Sequence, residues 1–128
     1  ASTNTYVAYC FKNVPGVCKI GSYTGNGSAN GAFIYTDFKA AWIMIKRYNS
    51  SGAWTIFDNQ REGYNVDNDE LVANTTAAET TTDYVDILSN GFKLRSTDAD
   101  VNASGGGYIF MAFADIAGNG DLPPIYGR

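Results

Sequence analysis

The feature that most constrains the fold is the stretch from Lys39 to Arg61, KAAWIMIKRYNSSGAWTIFDNQR. Two β-rich runs, Ala41 to Tyr48 and Ala53 to Asn59, lie on either side of the polar connector Asn49 to Gly52. Such runs, joined by four polar residues that end in glycine, are typical of a β-hairpin. We therefore predict a long hairpin at the centre of a sheet.

Both faces of the first run are apolar. Side chains alternate between the two faces of a strand, so Trp42 and Met44 share one face, and Ile43 and Ile45 share the other. A strand with two apolar faces indicates a two-layer structure in which a second sheet covers the first. Because large aromatic side chains dominate burial in small domains, we expect Trp42 and Trp54 to lie in the core rather than to bind a ligand.

The rest of the chain also has the pattern of an all-β protein. Glycine, threonine and aromatic residues are frequent, and no amphipathic helical window exceeds two turns. The turn signals Pro15-Gly16 and Asn90-Gly91 predict a type II turn and a tight turn with positive φ values. The further predicted strands are Thr5 to Phe11, Val17 to Tyr23, Ala32 to Phe38, Leu71 to Asn74, Tyr84 to Leu88, Gly91 to Arg95 and Gly107 to Ile116.

The length of 128 residues indicates one domain. We expect a single β-sandwich domain over residues 1–118 and an extended C-terminal tail over residues 119–128, which contains Pro123-Pro124. The chain begins at Ala1 rather than at Met, which suggests a processed protein or one domain of a longer polypeptide.

Charge and composition exclude several function classes. The net charge of −4 argues against a nucleic-acid partner, and no apolar run is long enough to cross a bilayer. Histidine is absent, which removes Ser-His-Asp and Cys-His catalysis and the usual zinc sites. We therefore expect no cofactor, no metal and no membrane insertion.

The two cysteines leave two alternatives open. Cys10 and Cys18 lie on either side of Pro15-Gly16, but a symmetric hairpin about that turn places Cys18 opposite Asn13. A disulfide therefore stays open, and two buried free thiols are favoured.

Two polar loops resemble ligand sites only superficially. Thr24 to Gly31 has the glycines of a phosphate cradle, but no helix and no lysine follow it, so we expect a flexible surface loop. Asp67 to Glu70 is acidic, yet it lacks the spacing of a calcium loop. A solvated loop is the favoured interpretation there.

Seven blocks follow one another along the chain, YVAYCFKNVPG, KIGSYTGNG, AAWIMIKR, WTIFDNQR, LVANTTAAE, LSNGFKLR and NASGGGYIFMAFADI. In this order they resemble a domain of tail-fibre and other structural proteins of marine and aquatic phages. The resemblance covers about Tyr6 to Asp115 and implies a jelly-roll or concanavalin-like two-sheet sandwich in a virion. That family usually has proline near Ala40 or Ala41, which this chain lacks, and it has no catalytic motif to carry over.

The resemblance leads to a first hypothesis, a tail-fibre C-terminal domain that attaches the virion to a host-surface glycan. Exposed loops with an aromatic ring and planar hydrogen-bonding groups suit sugar recognition. The candidate ligand-binding residues are Tyr23, Asn26, Tyr64, Asn65, Asp67 and Asp69.

Two alternatives remain. The first is a capsid decoration or a self-assembling fibre subunit, as a homotrimer or with neighbouring virion proteins. The second is a glycan hydrolase, which needs two carboxylates across a groove. Asp58 and Glu62 are the acidic pair nearest the central hairpin, but Asp58 is better explained by pairing with Arg61, so we expect no enzyme activity.

Overall fold

The computed structural model describes residues 3–61, 65 and 69–115, and these ranges contain eight strands and no helix. No helix in these ranges could therefore cross a membrane. The all-β prediction is confirmed. The strands are β1 (Cys18–Thr24), β2 (Phe33–Tyr35), β3 (Ala40–Arg47), β4 (Trp54–Asp58), β5 (Leu71–Val72), β6 (Val85–Leu88), β7 (Gly91–Leu94) and β8 (Gly107–Ala114).

The strands form two antiparallel sheets. One has five strands in the order β1-β8-β3-β4-β5, and the other has three in the order β2-β7-β6. The predicted hairpin is β3–β4, with Lys46 opposite Trp54 at its closed end, and β3 is the middle strand of the larger sheet. The predicted two-sheet sandwich is thus confirmed, and its jelly-roll detail stays a prediction.

The core lies between the two sheets. Ile43 and Ile45 of β3 are fully buried on the inner face of the larger sheet, and Phe92 and Leu94 of β7 face them from the smaller one. The rings of Phe92 and Phe110 meet edge to face across the interface, with centroids 5.4 Å apart. Edge contacts of this kind add to the stabilisation from buried apolar area.

The first predicted strand, Thr5 to Phe11, is wrong. Residues 3–13, called the N-terminal segment below, form no strand, and Tyr6 and Tyr9 are 82% and 84% exposed. At the end of this segment the Asn13 side chain donates to the Ile20 carbonyl (3.2 Å) and accepts from the Ile20 N–H (2.6 Å). The side chain takes the place that a pairing backbone would occupy, so the chain leaves the edge of β1 there.

The turn that follows the N-terminal segment is the predicted one. The Val14 carbonyl accepts from the Val17 N–H at 3.0 Å, Pro15 occupies the second position, and Gly16 has φ 70°. Positive φ at the third position is what a type II turn requires.

The prediction that both tryptophans lie in the core is also wrong. Trp54 is 40% exposed and Trp42 is half-buried, because the second sheet covers only the face of β3 that carries Ile43 and Ile45. The other face, with Trp42 and Met44, points away from the sandwich.

The β6–β7 hairpin is confirmed, but Gly91 does not supply the positive φ that was predicted for its turn. Leu88 pairs with Gly91, so Ser89 and Asn90 form the turn, and neither Asn90 nor Gly91 has a positive φ. A Cβ at Gly91 would lie 2.2 Å from the Ile34 carbonyl oxygen. Gly91 is therefore required by the close approach of β2.

Both cysteines are free thiols, which was the favoured alternative, but only Cys18 is buried. Cys10 is exposed because it belongs to the unpaired N-terminal segment. The predicted C-terminal tail, residues 119–128, lies outside the described residues.

Candidate functional site

Of the sequence-predicted site residues, Tyr23 belongs to the core. Its ring stacks on Tyr108 with centroids 5.0 Å apart, and its hydroxyl donates to the Val101 carbonyl at 2.7 Å. Burial, followed by the neighbouring Tyr108 hydroxyl, raises the pKa of Tyr23 well above its ordinary value. Tyr23 holds the β7–β8 loop in place.

Asn26 binds the same loop. Its N–H donates to the Asn102 side-chain oxygen at 2.9 Å, and its own side-chain oxygen accepts from the Asn102 amide at 3.0 Å. Gly27 adds a backbone bond to the Asn102 carbonyl at 2.9 Å. The glycine-rich loop that we expected to be flexible is therefore tied to a fully buried asparagine.

Asn65 and Asp69 also differ from the predicted solvated loop. The Asn65 side chain accepts from the Ile87 N–H at 2.8 Å, and Asp69 and Glu70 are only 6% and 7% exposed. Within the described ranges no group of three potential metal ligands occurs. Tyr64 and Asp67 lie outside the described residues.

Asp58 has the predicted structural partner. Arg61 Nε lies 2.7 Å from its carboxylate, and Arg61 also binds Glu79. Burial alone would raise the pKa of Asp58, but the hydrogen bonds from Gln60 and Arg61 lower it. An ionised, paired carboxylate is a poor proton donor, and Glu62 lies outside the described residues.

The feature that the sequence interpretation missed is the outer face of the five-stranded sheet. The strand register places its side chains in three rows, which centre on Phe113 beside Trp42, Met111 beside Met44 and Ile109 beside Lys46. Most of the side chains in these rows are apolar. We call this surface the outer face, and its large apolar residues are Ile20, Trp42, Met44, Trp54, Ile56, Ile109, Met111 and Phe113.

The one cation within these rows, Lys46, has its amine bound by backbone carbonyls at the closed end of the β3–β4 hairpin. Its Nζ donates to the carbonyls of Arg47 (2.9 Å) and Gly52 (3.0 Å) and lies 5.9 Å from the centroid of the Trp54 ring. The aliphatic part of a lysine can cover apolar surface while its amine is bound elsewhere. Lys46 therefore does not interrupt the apolar character of the outer face.

The N-terminal segment crosses part of the outer face and leaves a cleft. Phe11 meets Phe113 edge to face at 6.3 Å, and the Cys18 thiol donates to the Lys12 carbonyl at 3.1 Å. Between Tyr9 and Phe11 on one side and the sheet on the other lies a space of about 590 Å³. This volume is within the range of ligand pockets, but its walls offer few polar groups to orient a small molecule.

One known protein family matches most of this chain. A family model described as "Domain of unknown function (DUF7483)" matches residues 1–116. The chain belongs to this family. The DUF7483 match includes the N-terminal segment as well as all strands from β1 to β8. Comparisons with curated proteins and with solved structures find no match.

A signal for the outer face was present in the sequence of this DUF7483 domain. Alternation places Ile109, Met111 and Phe113 on one face of β8, as it places Trp42 and Met44 on one face of β3. Both faces of each strand are apolar, however, so periodicity alone did not distinguish the face that the second sheet covers from the one that it leaves open.

Proposed function

We propose that the chain is a structural domain of a phage virion, and that it assembles with further copies of itself through the outer face. The sequence blocks that resemble phage tail-fibre proteins support a place in the extracellular virion particle. The apolar outer face supports assembly. A fibre subunit of this kind is expected to be a homotrimer, and neighbouring virion proteins are the other partners that the face fits.

The observation that carries the proposal is the contrast between the two outward surfaces of the sandwich. The outward surface of the three-stranded sheet exposes Phe33 and Tyr35 at its edge, but it also carries Lys93 and the ion pair between Asp86 and Arg95. The outer face of the five-stranded sheet has apolar side chains in all three of its rows. Monomeric proteins rarely leave a contiguous apolar patch of this kind open to water.

Self-association explains this contrast better than a small ligand does. The chain carries a net charge of −4, so copies repel each other, and the repulsion is smallest where the contact surfaces carry few acidic groups. The three registered rows hold a single carboxylate, Asp58, at the corner beside Trp42, and Arg61 already pairs with it. A second copy of the same face is thus a partner of matching chemistry.

The test is the mass of the purified chain by light scattering over a range of concentrations. We expect the wild-type chain to form an oligomer. Ile109→Glu adds a carboxylate to the row of the outer face beside Lys46, where Ile109 is 42% exposed, and should yield a monomer. Phe33→Glu, on the opposite surface with 46% exposure and Lys93 as its strand neighbour, is the matched control and should assemble like the wild type. A wild-type monomer at all concentrations would refute assembly through this face.

A second candidate function is attachment of a fibre tip to a host-surface glycan. The loop residues first considered for it, Tyr23, Asn26 and Asn65, hold the fold together. A different group of residues favours this function, namely exposed aromatic side chains beside a cation at the edge of β1 and β2. We propose no catalytic activity for either function.

A further inference from the structure

The edges of β1 and β2 border an open cleft between the two sheets. The cleft has a volume of about 280 Å³, which is close to the roughly 300 Å³ of the smallest ligand sites. Lys19 and Ser22 of β1 line one side, and Phe33 and Tyr35 of β2 line the other. Unlike the cleft at the outer face, it combines aromatic rings with a cation and a hydroxyl.

The glycine in this wall keeps the cleft open. Gly21 faces the Phe110 ring so closely that a Cβ there would lie 2.8 Å from the ring edge. Any larger side chain at this position would force the Phe110 ring to move. Phe110 belongs to the core and also lines the cleft. A glycine at position 21 thus lets Phe110 pack closely against β1 in the core and leaves the cleft beside it open.

Tyr35 is fixed as an exposed platform. Its ring is 53% exposed, and its hydroxyl donates to the Asp37 carboxylate at 2.6 Å. This hydrogen bond, together with the charge of Asp37, raises the pKa of Tyr35 and keeps the phenol neutral. Most exposed tyrosine rings rotate freely, so a ring held by a carboxylate is already oriented before a ligand arrives.

Asp37 holds that position at a conformational cost. Its φ is 76°, in the left-handed region that non-glycine residues rarely adopt. Backbone strain of this kind clusters at binding sites, where the surrounding structure maintains it. Asp37 also lines a second space of about 170 Å³, which shares Lys19 with the first cleft. Lys19 therefore lies between two openings, of which Tyr35 lines one and Asp37 the other.

Lys19 supplies the cation. Its Nζ lies 6.0 Å from the centroid of the Tyr35 ring, and it takes part in none of the ion pairs found among the described residues. A cation at this distance from an exposed ring is only weakly held. It is therefore able to donate to an oxygen of a ligand that stacks on the ring.

We propose that Tyr35, Lys19 and Asp37 form a binding site for a pyranose sugar. The apolar face of the sugar ring stacks on Tyr35, a hydroxyl or carboxylate oxygen of the sugar accepts from Lys19, and the Asp37 carboxylate accepts from a sugar hydroxyl with its second oxygen. This inference rests on the second proposed function, attachment to a host-surface glycan, and does not depend on assembly through the outer face.

The test is titration of the ¹⁵N-labelled chain with methyl glucoside, methyl galactoside, N-acetylglucosamine and glucuronate, followed by amide chemical shifts. We expect saturable shifts at Lys19, Tyr35 and Asp37 with at least one of these sugars. Preference for glucuronate would assign a sugar carboxylate to Lys19, and preference for a neutral sugar would assign a hydroxyl. The absence of saturable shifts at these residues with all four sugars would overturn the proposal.

Variants distinguish binding from a purely structural role. Tyr35→Ala should weaken binding at least tenfold, whereas Tyr6→Ala, an exposed tyrosine of the N-terminal segment, should leave it unchanged. Asp37→Gly relieves the positive φ but removes the carboxylate, so it should raise the Tm and weaken binding. Asp37→Asn should keep part of the affinity. A Tyr35→Ala chain that binds like the wild type, or an Asp37→Gly chain that binds more tightly, would contradict the assigned roles.

Discussion

Asn102 and Asn26 hold each other by two reciprocal hydrogen bonds, one from the Asn26 N–H to the Asn102 side chain at 2.9 Å and one from the Asn102 amide to the Asn26 side chain at 3.0 Å. The Asn102 amide also donates to the carbonyls of Ser28 and Ser96 at 2.8 Å each. Because Asn102 is fully buried, its side chain supplies the hydrogen bonds that polar groups of these two loops would otherwise make with water.

Asn102→Ala should lower the free energy of unfolding by about 3 kcal/mol, because several buried polar groups lose their partner at once. The measurement is the midpoint of urea denaturation. Asn30→Ala, an exposed residue of the glycine-rich loop that Asn102 anchors, is the control and should change stability by less than about 0.5 kcal/mol. Equal effects of the two substitutions would mean that the loop is not anchored through Asn102.

Gly91→Ala tests the close approach of β2 to β7. The new Cβ would overlap the Ile34 carbonyl and the Phe33 ring, so we expect a loss of about 2 kcal/mol in thermal or urea unfolding. At Gly16 there is open space but φ is 70°, so Gly16→Ala should cost about 1 kcal/mol through strain alone. Asparagine tolerates positive φ, so Gly16→Asn should recover part of the loss, whereas Gly91→Asn should not.

Glu70→Gln tests the buried carboxyl at the start of β5. Burial, and then the charges of Asp98 and Asp100, raise the pKa of Glu70 above 4.5 in the folded chain. The protonated form therefore stabilises the fold below pH 4.5, and this contribution is lost as the pH rises through the folded pKa. We expect Glu70→Gln to have a higher Tm than the wild type at pH 7 and the same Tm near pH 4. A lower Tm at pH 7 would contradict this account.

Asp58→Asn is a companion experiment of opposite sign. Its hydrogen bonds with Gln60 and Arg61 lower the pKa of Asp58 below 3.8, so its contribution to stability is present above that pH and is lost as the pH falls through the folded pKa. Asp58→Asn should therefore lower the Tm at pH 7, and the difference from the wild type should shrink in strong acid.

The cysteines provide a test of the N-terminal segment. In the native chain a water-soluble maleimide should label one thiol rapidly, because Cys10 is exposed and Cys18 is buried and bound to the Lys12 carbonyl. Cys10→Ser should abolish the rapid labelling, and Cys18→Ser should preserve it. Rapid labelling of both thiols would show that the segment and the turn after it open in solution.

Much of the fold was predictable because it depends on local pattern. The β3–β4 and β6–β7 hairpins follow from alternating runs around polar turns, and the Val14 to Val17 turn follows from Pro15-Gly16. The failed strand, Thr5 to Phe11, has the same composition as a true strand. It forms no strand, and the chain leaves the edge of β1 where the Asn13 side chain makes two hydrogen bonds with Ile20, a specific contact across the turn that composition does not encode.

The candidate sites were harder to predict for a related reason. Asn26 and Asn65 look like ligand-binding groups in the sequence, but the Asn26 side chain binds the amide of buried Asn102, and the Asn65 side chain binds the backbone N–H of Ile87 in β6. Conversely, Trp42 looks like a core residue and lies on the outer face. In both cases the identity of the residue allows either role, and only the packing of distant strands decides between them.

The most direct test of assembly through the outer face is the fluorescence of the two tryptophans, since Trp42 and Trp54 are the only ones in the chain and both lie on that face. We would measure the emission maximum and acrylamide quenching of the wild-type chain over a range of concentrations, with Ile109→Glu as the control. We expect the tryptophan emission of the wild-type chain to shift to the blue, and its quenching by acrylamide to fall, as its mass rises with concentration. The tryptophans of Ile109→Glu should remain accessible to acrylamide at all concentrations. An oligomer whose tryptophans remain as accessible as those of Ile109→Glu would contradict this account, because assembly would then use another surface.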